Sequence, residues 1–190
     1  MIRLIPVTNG HNRMVRNMAN HYSQPKGFVG RNICYLVLND WDIYGTIAGG
    51  SATRFLPGRN EFFGMDKSKL GNVVNNIFFH IEKQQGKYPE REFAVKVLRQ
   101  FRATIQQDWE KKYGDEVIGF ESLVELPRTG ECYRRDGWTQ VGQTKGFTCK
   151  RVAGKGTDSW TGKRVWDTEN LRPKLVFVRK SEPGAKCLAG

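Results

Sequence analysis

Residues 131–146 read Glu-Cys-Tyr-Arg-Arg-Asp-Gly-Trp-Thr-Gln-Val-Gly-Gln-Thr-Lys-Gly. The order predicts a short turn or helix carrying Tyr133, a Gly137-Trp138 pair, and then a strand. Residues 147–152 are assigned to the strand that follows the pair. Taken alone, Tyr133 and Trp138 also suit the core of any α/β domain.

Upstream lies the clearest helix, over residues 90–113. Phe93, Val97, Phe101, Ile105 and Trp109 recur every fourth residue, and Ala94 and Leu98 widen the stripe. Arg99 and Arg102 fall away from it. Pro89 stands at the helix entrance, where a missing N–H costs nothing, and Gly114 is placed to cap the C-terminus.

Strands are expected at 2–7, 33–38, 43–48, 73–81, 117–126 and 174–179. Pro6 argues that the first is an edge. Asn39-Asp40-Trp41-Asp42 turns the second into the third as a hairpin. Asn75 and Asn76 break the alternation of 73–81, as a bulged central strand does. A short helix is expected from Asn9 or Asn12 to Asn20, with Met14, Val15 and Met18 facing inward. Residues 21–27 read as a loop, 57–60 as a turn, and Asp136 as a turn residue.

The chain has 190 residues, 31 Lys and Arg against 19 Asp and Glu, and a formal net charge of +12. The length suits one medium domain. The charge favours polyanions, nucleic acid first among them. Cys34, Cys132, Cys149 and Cys187 lack the spacing of a zinc site. With no secretory leader and no bilayer-spanning run, a reducing cytoplasm is expected, with no membrane partner.

The order of elements, with the 131–146 block, resembles the GCN5-related N-acyltransferase fold. The resemblance implies an α/β (α+β) architecture: a mixed β-sheet flanked by helices. Residues 1–152 would form the acyltransferase-like domain. Residues 153–190 would be a Gly/Lys/Trp-rich extension with a final strand, packed on the same domain. In that fold a central parallel pair splays to admit the pantetheine arm of an acyl-CoA such as acetyl-CoA. A helix N-terminus then meets the pyrophosphate. Here that helix would be the long one, with Lys87 and Arg91 at its entrance. Gln84-Gln85-Gly86-Lys87-Tyr88-Pro89-Glu90-Arg91 departs from the usual Gln/Arg-x-x-Gly-x-Gly/Ala loop, and Glu90 and Glu92 add negative charge there.

A narrower resemblance covers residues from about 20 to about 180. It rests on His21-Tyr22, the Glu121-Ser122-Leu123-Val124-Glu125 strand, Gly130-Glu131-Cys132-Tyr133 through Val141-Gly142, and Lys163-Arg164-Val165-Trp166-Asp167 through Val178. In order and spacing these are similar to the phage Mom-type adenine-modification family. The related DUF4338 group of a bacterial anti-phage system shares the His-Tyr loop. The resemblance implies a phage enzyme in the host bacterial cytoplasm. It would modify the adenine N6 amino group of double-stranded DNA by carbamoylmethylation and so protect the DNA from restriction. It also implies iron held by His21, Tyr22 and Glu125, although the family usually has Asp at the last position.

Each candidate has a plain alternative. His21 suits a base or ligand, or a surface histidine with a local hydrogen bond. His80, ending a strand, is assigned a structural role. Tyr22 suits a ligand, a proton donor or loop packing. Tyr133 suits protonation of a departing thiolate, or the core. Glu121 and Glu125 share a strand face, fit for deprotonating an amine or simply for facing solvent. Arg54, Arg59, Lys145, Lys150 and Arg151 are candidates for tracking a phosphate backbone, and Trp160 for stacking on an extruded base. A DNA-binding module of a defence system and an ordinary N-acyltransferase on a protein or small amine are the competing readings.

Overall fold

The computed structural model describes the backbone of residues 1–152, 163–167 and 169–182 and the side chains of 1–147 and 169–182. In chain order the elements begin with β1 (Ile2–Val7), α1 (Asn12–Asn20), β2 (Asn32–Asn39), β3 (Asp42–Ser51) and α2 (Pro57–Phe63). A 3-10 turn (Lys67–Asn72) leads into β4 (Val73–Ile81), α3 (Arg91–Tyr113), β5 (Gly119–Glu125) and α4 (Glu131–Arg135). The chain continues through β6 (Thr139–Gln143), β7 (Thr148–Val152), β8 (Lys163–Asp167) and β9 (Lys174–Lys180). A seven-stranded sheet runs β1-β2-β3-β4-β5-β9-β6, and β7 and β8 pair apart from it. This is the mixed, helix-flanked α/β sheet the sequence predicts. β9 enters the sheet between β5 and the edge strand β6.

Two strands decide the shape. β4 and β5 are parallel, and their registered pairs are Val73–Gly119, Val74–Phe120 and Asn75–Glu121. Beyond that point β4 continues beside β3 and β5 beside β9. The sheet therefore forks after Asn75 and Glu121. The bulge expected in β4 lies at the fork: Ala48 faces Phe78 and Gly49 faces Asn76, so Ile77 is unopposed. Asn76 Nδ2 donates to the Ala48 and Phe78 carbonyls, each at 3.0 Å, and fixes the bulge.

One face of the sheet carries α3. Phe93, Val97, Leu98, Phe101, Ile105 and Trp109 are buried with Tyr35, Val37, Ile47, Val74, Phe120 and Phe177 in one cluster. Helix and sheet approach closely: a Cβ built on Gly49 would lie 2.2 Å from Ile105 Cδ1. The opposite face carries α1, whose Met14 and Met18 pack with Cys34, Ala48 and Phe78. Alternate residues of β2 and β3 divide between the two clusters, as strand geometry requires. Gly114 ends α3 in the left-handed region, and Pro6 lies on the edge strand β1, as expected.

Several local expectations fail. Val15 is half-exposed, because Asn17 takes the inward position and donates to Thr46 Oγ1 and Glu82. The N-cap of α1 is His11, through its Nδ1. Residues 57–60 are the first turn of α2, with Pro57 at the start, rather than a separate turn. The strand after Gly137-Trp138 is β6, and residues 148–152 belong to the β7–β8 pair. Arg102 is buried despite its place off the apolar stripe. Its partner is Asp136, which is a hub and not only a turn residue: it accepts from Arg102 at 2.7 Å, Arg99 at 3.3 Å and Trp138 Nε1 at 2.8 Å.

That hub fixes α4 and Trp138 against α3. Removing one partner of a buried ion pair strands the other charge. Asp136→Asn is expected to lower unfolding stability by about 3 kcal/mol, read as a shifted urea midpoint with an unchanged slope.

Candidate functional site

Tyr133 stands in the fork. It comes from α4 on the α3 face, is buried, and stacks on Phe177 at 5.6 Å between ring centroids. Its hydroxyl donates to Asn76 Oδ1 of β4 at 2.7 Å and bonds the Ser122 side chain of β5. One phenol thus spans both prongs where they part. Full burial pushes its pKa far above the ordinary tyrosine value.

On the other face the fork opens into a cavity of about 570 Å³. Asn75, Glu121, Leu123 and Glu125 line its floor from β4 and β5. Alternation along β5 puts both carboxylates on this face. Glu121 is 1 % exposed and pairs with Arg59, 0 % exposed, at 2.5 Å. Burial, the largest effect, raises the Glu121 pKa, against the pull of Arg59. The wall comes from the loop before α2, with Arg54 and Phe55, and from residues 144–147, with Lys145 and Phe147. Arg172 and Lys174 complete the rim. Phe55 and Phe147 are 50 % and 40 % exposed, so the cavity offers two wetted aromatic rings beside four cations.

Next to it, the α1–β2 loop carries His21 and Tyr22. The His21 ring lies 4.1 Å from Tyr22, 4.7 Å from Phe78 and 5.9 Å from His80. His21 Nδ1 bonds Ser23 Oγ at 2.8 Å, and the ring also bonds the Phe79 backbone. Desolvation first, then His80 and Arg128, lower the His21 pKa to about 4, so the ring is neutral at pH 7. Tyr22 bonds the Glu125 backbone, and burial raises its pKa. The Arg128 guanidinium lies 3.4 Å over the Tyr22 ring.

Tyr22 meets the Glu125 backbone, far away in the chain, and the His21 ring packs beside Tyr22. They do not form a metal cradle. The His21 ring is engaged by Ser23 and Phe79, and Arg128 presses a positive charge on Tyr22, where an iron cation would be repelled. Among the described residues no three His, Cys, Asp or Glu side chains are grouped to hold an ion.

Of the other expected residues, Arg54 and Lys145 reach the rim and are exposed. Arg59 is a correction: its guanidinium is spent on Glu121, on Asn60 Oδ1 and on the Arg54 carbonyl, so it has no surface to offer a phosphate. Lys150 and Arg151 lie on β7, where the side chains are not described, and Trp160 lies outside the described residues. His80 joins the His21 stack, a role that its place at a strand end did not reveal.

At the far face, Lys87 and Arg91 are exposed at the α3 entrance and make no ion pair among the described residues. The two acidic groups there are each taken by a cation, Glu90 by Lys96 and Glu92 by Arg135. The charge left at the helix N-terminus is positive, and with the fork behind it the site fits a coenzyme A thioester. Residues 84–87 close on themselves in a tight turn rather than lying open, so less backbone faces the anion.

Solved N-acetyltransferases share this mixed, forked sheet. The chain has that fold. The plant acetyltransferase NAA60 of Arabidopsis thaliana, solved with acetyl-CoA, superposes with a TM-score of 0.54 over 95 % of this chain and 98 % of that one, at 12 % identity. An acetyltransferase of Bacillus subtilis, in complex with CoA, gives 0.52 over 95 % and 99 %, at 9 % identity. Aminoglycoside acetyltransferase AAC(6')-Ib, in complex with coenzyme A, gives 0.52 over 95 % of each chain, at 12 % identity. No family model matches the chain, and no curated protein does. Among the described residues no helix is long and apolar enough to cross a membrane.

The histidines make a pH prediction. His21 and His80 both have lowered pKa values in the fold, with burial the largest cause. The unfolded chain therefore takes up protons first. Stability should fall as pH drops from about 6.5 toward about 4, where His21 itself protonates. His21→Gln should flatten part of that slope, measured as urea midpoints across the range.

Proposed function

We propose that this protein is an N-acyltransferase that passes an acyl group from a coenzyme A thioester to an amine held in the cavity. The observation that carries this reading is the fork itself. It has a buried tyrosine on one side and two carboxylates on the other, with a gap between them. Coenzyme A supplies an activated acyl carbonyl when bound. Lys87, Arg91 and the α3 N-terminus would hold its pyrophosphate, and Tyr133 would face the reacting carbonyl. The cavity carboxylates would orient the amine and accept its proton. The apolar walls, Leu123 among them, exclude water that would hydrolyse the donor.

The rim favours one kind of acceptor. Arg54, Lys145, Arg172 and Lys174 repel free polyamines and draw an amine carried on an anionic scaffold. Phe55 and Phe147 suit a flat ring. These features, with the net charge of +12, support the adenine N6 of double-stranded DNA as the acceptor. On this reading the protein is a phage DNA-modifying transferase of the Mom type that shields DNA from restriction. The iron of that resemblance has no role in it.

Two measurements separate the readings. Nucleoside mass spectrometry of DNA from expressing cells should show a modified adenine. Unmodified DNA, together with acyl transfer to a protein or small amine, would keep the transferase and remove the DNA acceptor. Tyr133→Phe should cut turnover roughly 100-fold while leaving the circular dichroism unchanged. Binding to duplex DNA should weaken steeply with salt, and Arg54→Ala with Lys145→Ala should reduce that slope.

A further inference from the structure

The strands that bound the cavity do not end at its rim. β6 and β9 pair as far as Gln143 and Leu175. The pairing then continues outward. Thr144 N–H donates to the Lys174 carbonyl at 2.8 Å, Lys174 N–H to Thr144 Oγ1 at 3.0 Å, and Arg172 N–H to the Gly146 carbonyl at 2.9 Å. Gly146 takes a positive φ and lies so close to the Arg172 and Pro173 backbone that a Cβ has no room. Beyond this stem the two segments pair again as β7 and β8, from Thr148–Asp167 to Val152–Lys163. The stem, with residues 144–147, Arg172 and Lys174, also lines the cavity. β7–β8 is therefore an arm rooted on the cavity mouth.

An arm of two strands needs something to lie against. A bare two-stranded ribbon is marginal in water, and β7 and β8 form a two-stranded sheet of their own. The sequence sets the charge of the partner. Residues 144–174 hold eight Lys and Arg against three Asp and Glu. Register pairs Arg151 with Arg164, and strand alternation places Lys150 and Lys163 together on the other face. Like charges at paired positions oppose strand pairing. An anion shared between them reverses that sign. The shape is more specific than the charge. Strands about 4.8 Å apart make a ribbon that fits the major groove of B-form DNA, about 12 Å wide. Each strand has five residues. That is about 16 Å of ribbon, or roughly five base steps. The adenine N6 amino group is presented in that same groove.

We propose that the β7–β8 ribbon is a duplex-DNA arm that enters the major groove and brings an adenine N6 edge to the cavity at its root. What the arm delivers rests on the DNA-acceptor reading. Phosphate contacts along the arm set register and orientation on the duplex, and the rim cations hold the flanking backbone. Duplex RNA does not fit, because its A-form major groove is too deep and narrow to admit side chains.

The tests measure binding of the full chain to a short DNA duplex and need no donor. Dimethyl sulfate reports on both grooves, since guanine N7 lies in the major groove and adenine N3 in the minor. The wild type should protect guanine N7 and leave adenine N3 reactive. Arg151→Gln with Arg164→Gln should weaken binding about tenfold at about 0.1 M salt, lower the log–log salt slope by about 2 and remove the guanine protection. Three results each overturn the arm: protection of adenine N3 in place of guanine N7, equal affinity for duplex RNA, or a double variant that binds and protects as the wild type does. Should the double variant not fold, the wild-type footprint and the RNA comparison decide alone. A guanine footprint without adenine modification in expressing cells keeps the arm and removes the DNA-acceptor reading. Absence of duplex binding overturns both.

Discussion

The parting of β4 and β5 after Asn75 and Glu121 is the constraint on which everything else depends. Two parallel strands that stop pairing leave backbone groups that need other partners. β4 keeps its ladder with β3, through a bulge, and β5 its ladder with β9, each on the edge away from the gap. Asn76 does two jobs at once, closing the bulge with its amide N–H groups and receiving the Tyr133 hydroxyl with its oxygen. The gap is thus defined by hydrogen bonds on both prongs. Tyr133 sits on one side of it and Glu121 on the other.

The electrostatics follow a simple economy. In a chain with an excess of 12 positive charges, the carboxylates that matter are buried and anchored by arginine. Asp136 holds Arg102 and Arg99, Glu82 holds Arg13 and Arg16, and Glu121 holds Arg59. Each pair joins elements distant in sequence, and burial makes the Arg59–Glu121 and Arg102–Asp136 pairs costly to break. Lys87 and Arg91 at the α3 entrance and Arg54, Lys145, Arg172 and Lys174 at the cavity rim supply positive charge around the fork. The result is a negative floor beneath a positive mouth. His21, neutral and stacked among aromatic rings, stands next to the cavity and adds little charge.

Much of the fold is legible along the chain because it depends on local period. The four-residue repeat from Phe93 to Trp109, the Asn39–Asp42 turn, Pro6 at an edge and the broken alternation at Asn75 and Asn76 each express a rule spanning a few residues. Tyr133 in the 131–146 block belongs here too, since the short α4 and the glycine after it set its direction. The convergence of His21 and Tyr22 with Glu125 came from the order of motifs, and its chemistry did not: ligand-type residues were brought together, and an arginine was placed among them.

By itself the sequence determined most of the element types, the sheet's helix-flanked class, the inward face of α3 and the excess of positive charge. Only the tertiary structure decided that Arg59 is buried, that Arg102 and Asp136 are partners, that His80 joins His21, and that the last strand lies inside the sheet. Arg59 and Glu121 are 62 residues apart. A charged side chain looks the same in the sequence whether it is solvated or paired. Its partner is chosen by the packing of whole elements, here the seating of α2 against β6 and β9. Local periodicity can say which way a residue points along its own element, and it carries no information on what the other elements bring to meet it.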